Sequence, residues 1–129
     1  MKKLIILGTI ALAHAAQAGY LENGNSYFKN NNYPKAEQMY LKAIKENDGE
    51  IEAMYNLGTL YYEQNKFDKA KEMFLKAIQK GHVKAMYNLG ILYYNQNDRI
   101  NAKKYVKQAS DLGYEEAQEV YKKMLQAGY

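Results

Sequence analysis

Residues 53–65 read AMYNLGTLYYEQN and residues 85–97 read AMYNLGILYYNQN, so 11 of 13 positions are identical at a displacement of 32. A looser echo joins residues 33–44 (YPKAEQMYLKAI) to residues 67–78 (FDKAKEMFLKAI), 34 residues apart. A period in the low thirties means one supersecondary unit used repeatedly. Such a unit cannot bury its apolar face alone and must stack on its neighbours. Within each unit the apolar residues recur at helical spacing, so the unit is a pair of helices. The single Pro and the scarcity of Thr and Val argue against a sheet. The spacing therefore predicts an all-α chain, an α-solenoid of three antiparallel helical hairpins with a C-terminal capping helix.

The punctuation places the hairpins. Residues 20–30 read as a first helix, broken by Asn31-Asn32, and Pro34 suits the first turn of the second, where a missing N–H does no harm. That helix runs to about Glu46 and ends at Asn47-Asp48-Gly49. Residues 50–64 and 67–80 form the second pair, closed by Gly81 as a C′ residue. Residues 83–96 and 99–111 form the third, with Asp98 as N-cap and a break at Leu112-Gly113. Residues 115–126 are a last, unpaired helix. The repeats thus span about 19–50, 51–82 and 83–114, with the capping helix at 115–126.

The first 18 residues stand apart from this pattern. Lys2 and Lys3 precede an apolar run at residues 4–13, and Ala16-Gln17-Ala18 is a small-x-small site. That is the arrangement of a cleaved secretory signal peptide, too short in its apolar part to span a bilayer. It implies a mature domain of residues 19–129, exported to the periplasm or the medium of a bacterium, with no stable membrane insertion after cleavage. Loss of Lys2 and Lys3 takes the formal charge from +4 to +2. The remaining Lys residues are interleaved with Glu, which is the pattern of a solvated helical face and not of a phosphate-tracking stripe, so no nucleic-acid partner is expected.

Gly58 and Gly90 fall mid-helix, where Gly costs about 1 kcal/mol relative to Ala, so each needs a reason. Close approach of the partner helix supplies one, with Ala70 and Ala102 as the small residues opposite and Leu57, Tyr61 and Phe74 around the crossing. These residues resemble the tetratricopeptide family. In residues 51–82 its spacing is met by Leu57, Gly58, Tyr61, Ala70, Phe74 and Ala77. In residues 83–114 it is met by Leu89, Gly90, Tyr93, Ala102 and Ala109, with Val106 replacing the aromatic. In residues 17–50 it is met by Gly24, Tyr27, Ala36, Tyr40 and Ala43, with Asn23 in place of Leu. Met54 and Met86 stand for the family's Trp. The junctions KAIQKGHVKAMYNLG and KQASDLGYEEAQ also resemble the related Sel-one-like repeat, although the 32-residue unit favours tetratricopeptide geometry. Glu115, Glu116, Glu119, Lys122 and Lys123 match the family's solvated cap.

Chemistry has little to stand on. There is no Cys, which removes disulfides, thiol catalysis and Cys-ligated zinc. His82 lies in a repeat junction without HxxxH or HExxH spacing, so it reads as a surface loop residue and no metal is expected. No phosphate-binding Gly motif is present, and no cofactor is expected. Ser26–Lys29 satisfies S-x-x-K, but the S-D-N and K-T-G partners are absent. An exported hydrolase of cell-wall or β-lactam type is therefore the weaker alternative, beside a self-assembling structural module.

The resemblance implies a non-catalytic adaptor that binds a protein or peptide in a groove lined by the first helix of each hairpin. By position the peptide-binding residues are Asn25, Phe28, Tyr55, Asn56, Tyr62, Lys84, Tyr87, Asn88, Ile91 and Tyr94, with Thr59 between them. Tyr55, Tyr62, Tyr87 and Tyr94 are expected to be exposed, while Tyr61, Tyr93, Leu57 and Leu89 are core. Some members of the family clamp a peptide's terminal carboxylate. Asn25, Asn56 and Lys84 fit three clamp positions, and Leu21 and Asn88 stand where Lys and Arg would be.

Overall fold

The computed structural model describes residues 19–129; the expected signal peptide lies outside the described residues. These contain helices α1 (Tyr20–Lys29), α2 (Tyr33–Lys45), α3 (Glu50–Glu63), α4 (Phe67–Gln79), α5 (Val83–Asn95), α6 (Arg99–Asp111) and α7 (Glu115–Gln126). They form two compact units, one up to Ala53 and one over Met54–Tyr129.

Each helix ends the same way. The residue at C′ takes a left-handed conformation, Asn31, Asn47, Asn65 and Asn97 after α1, α2, α3 and α5, and Gly81, Gly113 and Gly128 after α4, α6 and α7. The following N–H then reaches back to a carbonyl five residues earlier, as in Lys66 to Tyr61 at 2.8 Å and His82 to Ala77 at 3.1 Å. Asn and Gly are the residues that tolerate this backbone, and the bond satisfies an orphan helix carbonyl. Some starts are capped by side chains too. Asn32 and Asp98 side chains accept from Lys35 N–H at 3.4 Å and Asn101 N–H at 3.1 Å. Pro34 sits in the first turn of α2. Side-chain and backbone hydrogen bonds from Asn101 hold the Asp98 carboxyl below the usual carboxylate range.

In the first unit α1 packs on α2 around Ala36, Tyr40 and Ala43, all fully or almost fully buried. A Cβ at Gly24 would lie 2.6 Å from the Tyr40 ring, so only Gly lets α2 come this close. The Asp48 carboxylate accepts from Gly19 N–H at 3.3 Å and Leu21 N–H at 3.2 Å, tying the start of α1 to the loop after α2.

In the second unit Leu57, Leu60, Phe74, Leu89, Leu92 and Val106 are fully buried. The mid-helix glycines are crossing points, as their positions predict, and the side chain nearest each belongs to the residue four positions after the expected Ala. A Cβ on Gly58 would meet the ring of Phe74, one of the residues expected around the crossing, at 2.7 Å. At Gly90 the neighbour is Val106 Cγ2 at 2.7 Å, with the Val106 nitrogen at 3.0 Å and the Ala102 carbonyl at 3.2 Å. Val106 is smaller than Phe74, so α6 backbone comes nearer to α5. α7 seals this core with Ala117 and Met124, and Glu115, Glu116, Glu119, Lys122 and Lys123 face solvent.

Candidate functional site

The sequence-derived residues divide by unit. In the first, Asn25 is exposed on α1 and its Oδ1 accepts from the buried Tyr40 hydroxyl at 2.9 Å. Burial, and then the charge of Glu52, push the Tyr40 hydroxyl up to about 12. Phe28 is half-buried and its ring lies 5.7 Å from that of Tyr33. Ser26 and Lys29 are both exposed on α1.

In the second unit the structure brings Tyr62, Asn88 and Ile91 together. With Thr59, Glu63 and Phe74 they line a pocket of about 190 Å³ between α3, α4 and α5. Tyr62 is half-buried, its ring edge-on to Phe67 at 5.6 Å, and its hydroxyl accepts from Asn95 Nδ2 at 3.0 Å. The pocket combines aromatic and aliphatic walls with one carboxylate, one amide and two hydroxyls. Its chemistry is that of a socket for an apolar side chain with hydrogen-bonding groups at its rim.

Tyr55 does not share the exposure expected of it. It is 8 % exposed, stacked on His82 at 4.6 Å and close to Phe74 at 6.0 Å. Its hydroxyl accepts from Asn88 Nδ2 at 3.0 Å. The seven-residue spacing that puts Tyr55 on one face with Tyr62 is correct, but the hairpin that follows covers that end of the face. Tyr55 acts on the pocket through Asn88, whose amide it orients. Asn56 is half-buried; Lys84 is exposed, its Nζ 5.6 Å from the centre of the Tyr55 ring. Tyr87 is half-buried against Tyr114 at 5.3 Å. Tyr94 is exposed, and its ring stacks on Tyr129 at 5.9 Å. Tyr61 is buried as expected, and Tyr93, half-buried, stacks on Tyr105.

His82 is more than a loop residue. Its Nδ1 accepts from Ala85 N–H at 3.1 Å, making it the N-cap of α5 while its ring covers Tyr55. Glu63 and Phe74 were not anticipated in the pocket. Glu63 follows Tyr62 directly, and Phe74 reaches the pocket because the missing Cβ of Gly58 leaves its ring room there.

Comparison with known proteins agrees with this architecture. No curated protein matches the chain in sequence. The N-terminal domain of stress-induced protein-1 (STI-1) from C. elegans has a similar structure, with 26 % identity and a TM-score of 0.74 over 88 % of this chain and 97 % of that one. The first TPR of Spaghetti (RPAP3), bound to the HSP90 peptide SRMEEVD, is similar at 25 % identity and a TM-score of 0.72, covering 86 % and 93 %. MamA shares 31 % identity at a TM-score of 0.64, covering 76 % of this chain and 57 % of that one. Tetratricopeptide repeat family models match residues 5–79 and residues 55–114. The first match alone spans more than half of the sequence, and with the glycine-centred crossings of successive helices it shows that the chain belongs to the tetratricopeptide repeat family, whose members are generally non-catalytic protein-interaction modules.

Proposed function

We propose that the chain is an adaptor that holds an extended segment of a partner protein along α3 and α5 of its second unit. The observation that carries this reading is the pocket lined by Thr59, Tyr62, Glu63, Phe74, Asn88 and Ile91. Its volume suits one large apolar side chain, and its Asn and Tyr groups can donate to and accept from a peptide backbone. The peptide held by the first TPR of Spaghetti (RPAP3) supports a peptide as the ligand class. The mode of holding differs from a terminal-carboxylate clamp. Asn88 stands where that clamp has Arg, and its amide is engaged by the Tyr55 hydroxyl. Side chains and backbone of the ligand, not its terminus, are the features this pocket recognises.

The test compares variants in affinity capture from the producing cell. Tyr62→Ala combined with Ile91→Ala enlarges and strips the pocket, and is expected to abolish capture of the partner with helical content retained. Tyr61→Ala, in the core, is expected to unfold the domain. Undiminished capture by the folded double variant would place recognition elsewhere.

We also propose that residues 1–18 direct export and are removed, so that the adaptor works outside the cytoplasm. Lys2-Lys3, the apolar run and Ala16-Gln17-Ala18 support this. So does the placement of the Gly19 nitrogen beside the Asp48 carboxylate, where a new terminal ammonium would find a counter-charge.

A further inference from the structure

A second site is visible where α5 gives way to α6. In the earlier hairpins the turn between helices is bridged by an aromatic pair five residues apart, Phe28 with Tyr33 at 5.7 Å and Tyr62 with Phe67 at 5.6 Å. The third hairpin breaks the rule, because the residue five after Tyr94 is Arg99. The slot is filled from far along the chain. The Tyr129 ring stacks on Tyr94 at 5.9 Å, lies 4.8 Å from the Arg99 guanidinium carbon, and the Tyr129 carbonyl oxygen accepts from Lys103 Nζ at 2.9 Å. An aromatic residue thus sits in a three-sided receptor of tyrosine, arginine and lysine.

Two features say that this receptor is more than an internal strut. Next to Tyr129 an open groove of about 480 Å³ continues along α6, lined by Arg99, Ile100, Lys103, Lys104 and Lys107. Ile100 is 83 % exposed there, an unusual position for a large aliphatic side chain between cations. The groove offers far more than residues 127–129 use. Tyr129 itself is held by those two ring contacts, by the bond from Lys103, and by its own N–H, which donates to the Met124 carbonyl at 3.0 Å and closes α7. A partner that fills both the slot and the groove makes contacts along α6 that Tyr129 does not, and can displace it.

We propose that the Tyr94–Arg99–Lys103 slot and the groove beyond it form a peptide site distinct from the α3–α5 pocket. Its ligand is an aromatic residue flanked by carboxylates, and Tyr129 is the internal ligand that closes it. The ring takes the place of Tyr129 between Tyr94 and Arg99. The flanking carboxylates meet Lys103, Lys104 and Lys107, with the ligand's aliphatic atoms over Ile100. Removing the internal ring opens the site.

The test uses a fluorescently labelled peptide, Asp-Glu-Tyr-Glu-Asp, and the whole chain with single changes. Tyr129→Ala is expected to bind it at least tenfold more tightly than the unaltered chain, whereas Tyr129→Phe, which keeps the ring, behaves like the unaltered chain. Adding Arg99→Glu to Tyr129→Ala removes the gain, and replacing the peptide's Tyr by Ala or its acids by Ser and Gln removes binding. Tyr62→Ala with Ile91→Ala leaves the gain in place, which separates this site from the adaptor pocket. Equal affinity with and without the Tyr129 ring, a gain that survives Arg99→Glu, or equal binding of the Tyr-less peptide would each overturn the proposal, the last by reducing the face to general charge attraction. If Tyr129→Ala loses its fold by circular dichroism, the unaltered chain decides the matter. Excess peptide must then move the Tyr129 ring resonances toward those of free tyrosine, and their invariance overturns the proposal.

Discussion

Asn88 donates its side-chain amide to the hydroxyl of Tyr55 across 3.0 Å of space and 33 residues of sequence. Seven residues later Asn95 makes the same bond to Tyr62, also at 3.0 Å. The two bonds are rungs between the first helices of successive hairpins, repeated because the sequence repeats.

The rungs differ in burial, and that difference is measurable. The Tyr55 rung is part-buried and the Tyr62 rung is exposed. A double-mutant cycle of Tyr55→Phe with Asn88→Ala is expected to give a coupling of about 0.5–1.5 kcal/mol. The cycle of Tyr62→Phe with Asn95→Ala is expected to give less, since water replaces the bond at little cost. Urea unfolding of the single and double variants supplies the numbers, and equal couplings would refute the assignment.

Gly58→Ala and Gly90→Ala should both destabilise, reversing the gain that Ala brings at an ordinary helical Gly. Gly90→Ala should cost more. Its Cβ meets main-chain atoms of Val106 and Ala102 as well as a side chain, whereas the atoms nearest the Cβ at Gly58 are those of the Phe74 ring. Leucine at either position is expected to cost about 1–3 kcal/mol or more. Thermal melts check the order; a raised Tm in either Ala variant would contradict the packing.

Alkaline pH should loosen the first unit through Tyr40. Its pKa is raised by burial and by Glu52 to about 12, against 10.0 for the unperturbed group. The unfolded chain therefore releases the proton first. The stabilising contribution, about 2–3 kcal/mol from the size of the shift, is complete below pH 10 and is lost as the pH rises toward 12. Tyr40→Phe should flatten the fall of Tm between pH 9 and 12, at the cost of the hydrogen bond to Asn25. An unchanged slope in that variant would show that other groups dominate.

Processing makes a prediction of its own. Protein recovered from the exported fraction should have the intact mass of residues 19–129. Asp48→Asn should then lower its Tm more than it lowers that of the full-length chain, because only the processed form places a terminal ammonium beside the carboxylate. A recovered mass that includes residues 1–18 would end the export proposal.

Much of the fold was legible in the residues because its determinants are local. Pro34, Asp98, Gly81 and Gly113 act through the backbone of their own turns, so their types and spacing were enough to bound the helices. Gly58 and Gly90 announced close crossings because nothing else justifies Gly there. The opposing residues were not legible in the same way. Which side chain comes nearest Gly58 depends on the crossing geometry of two helices, and that geometry brings the Phe74 ring to it.

The site shows the same boundary. Sequence by itself determined that Tyr55, Tyr62, Asn88 and Ile91 belong to corresponding faces of α3 and α5, since helical periodicity and a 32-residue repeat are properties of the chain. Tertiary structure alone decided which parts of those faces stay open. His82 and Phe74 close over Tyr55, leaving Tyr62, Asn88 and Ile91 around the pocket. Tyr129 stacks on the still exposed Tyr94 from 35 residues away, in the slot that Arg99 leaves without a ring. Periodicity states which residues share a face; only the packing of distant segments determines whether that face meets solvent.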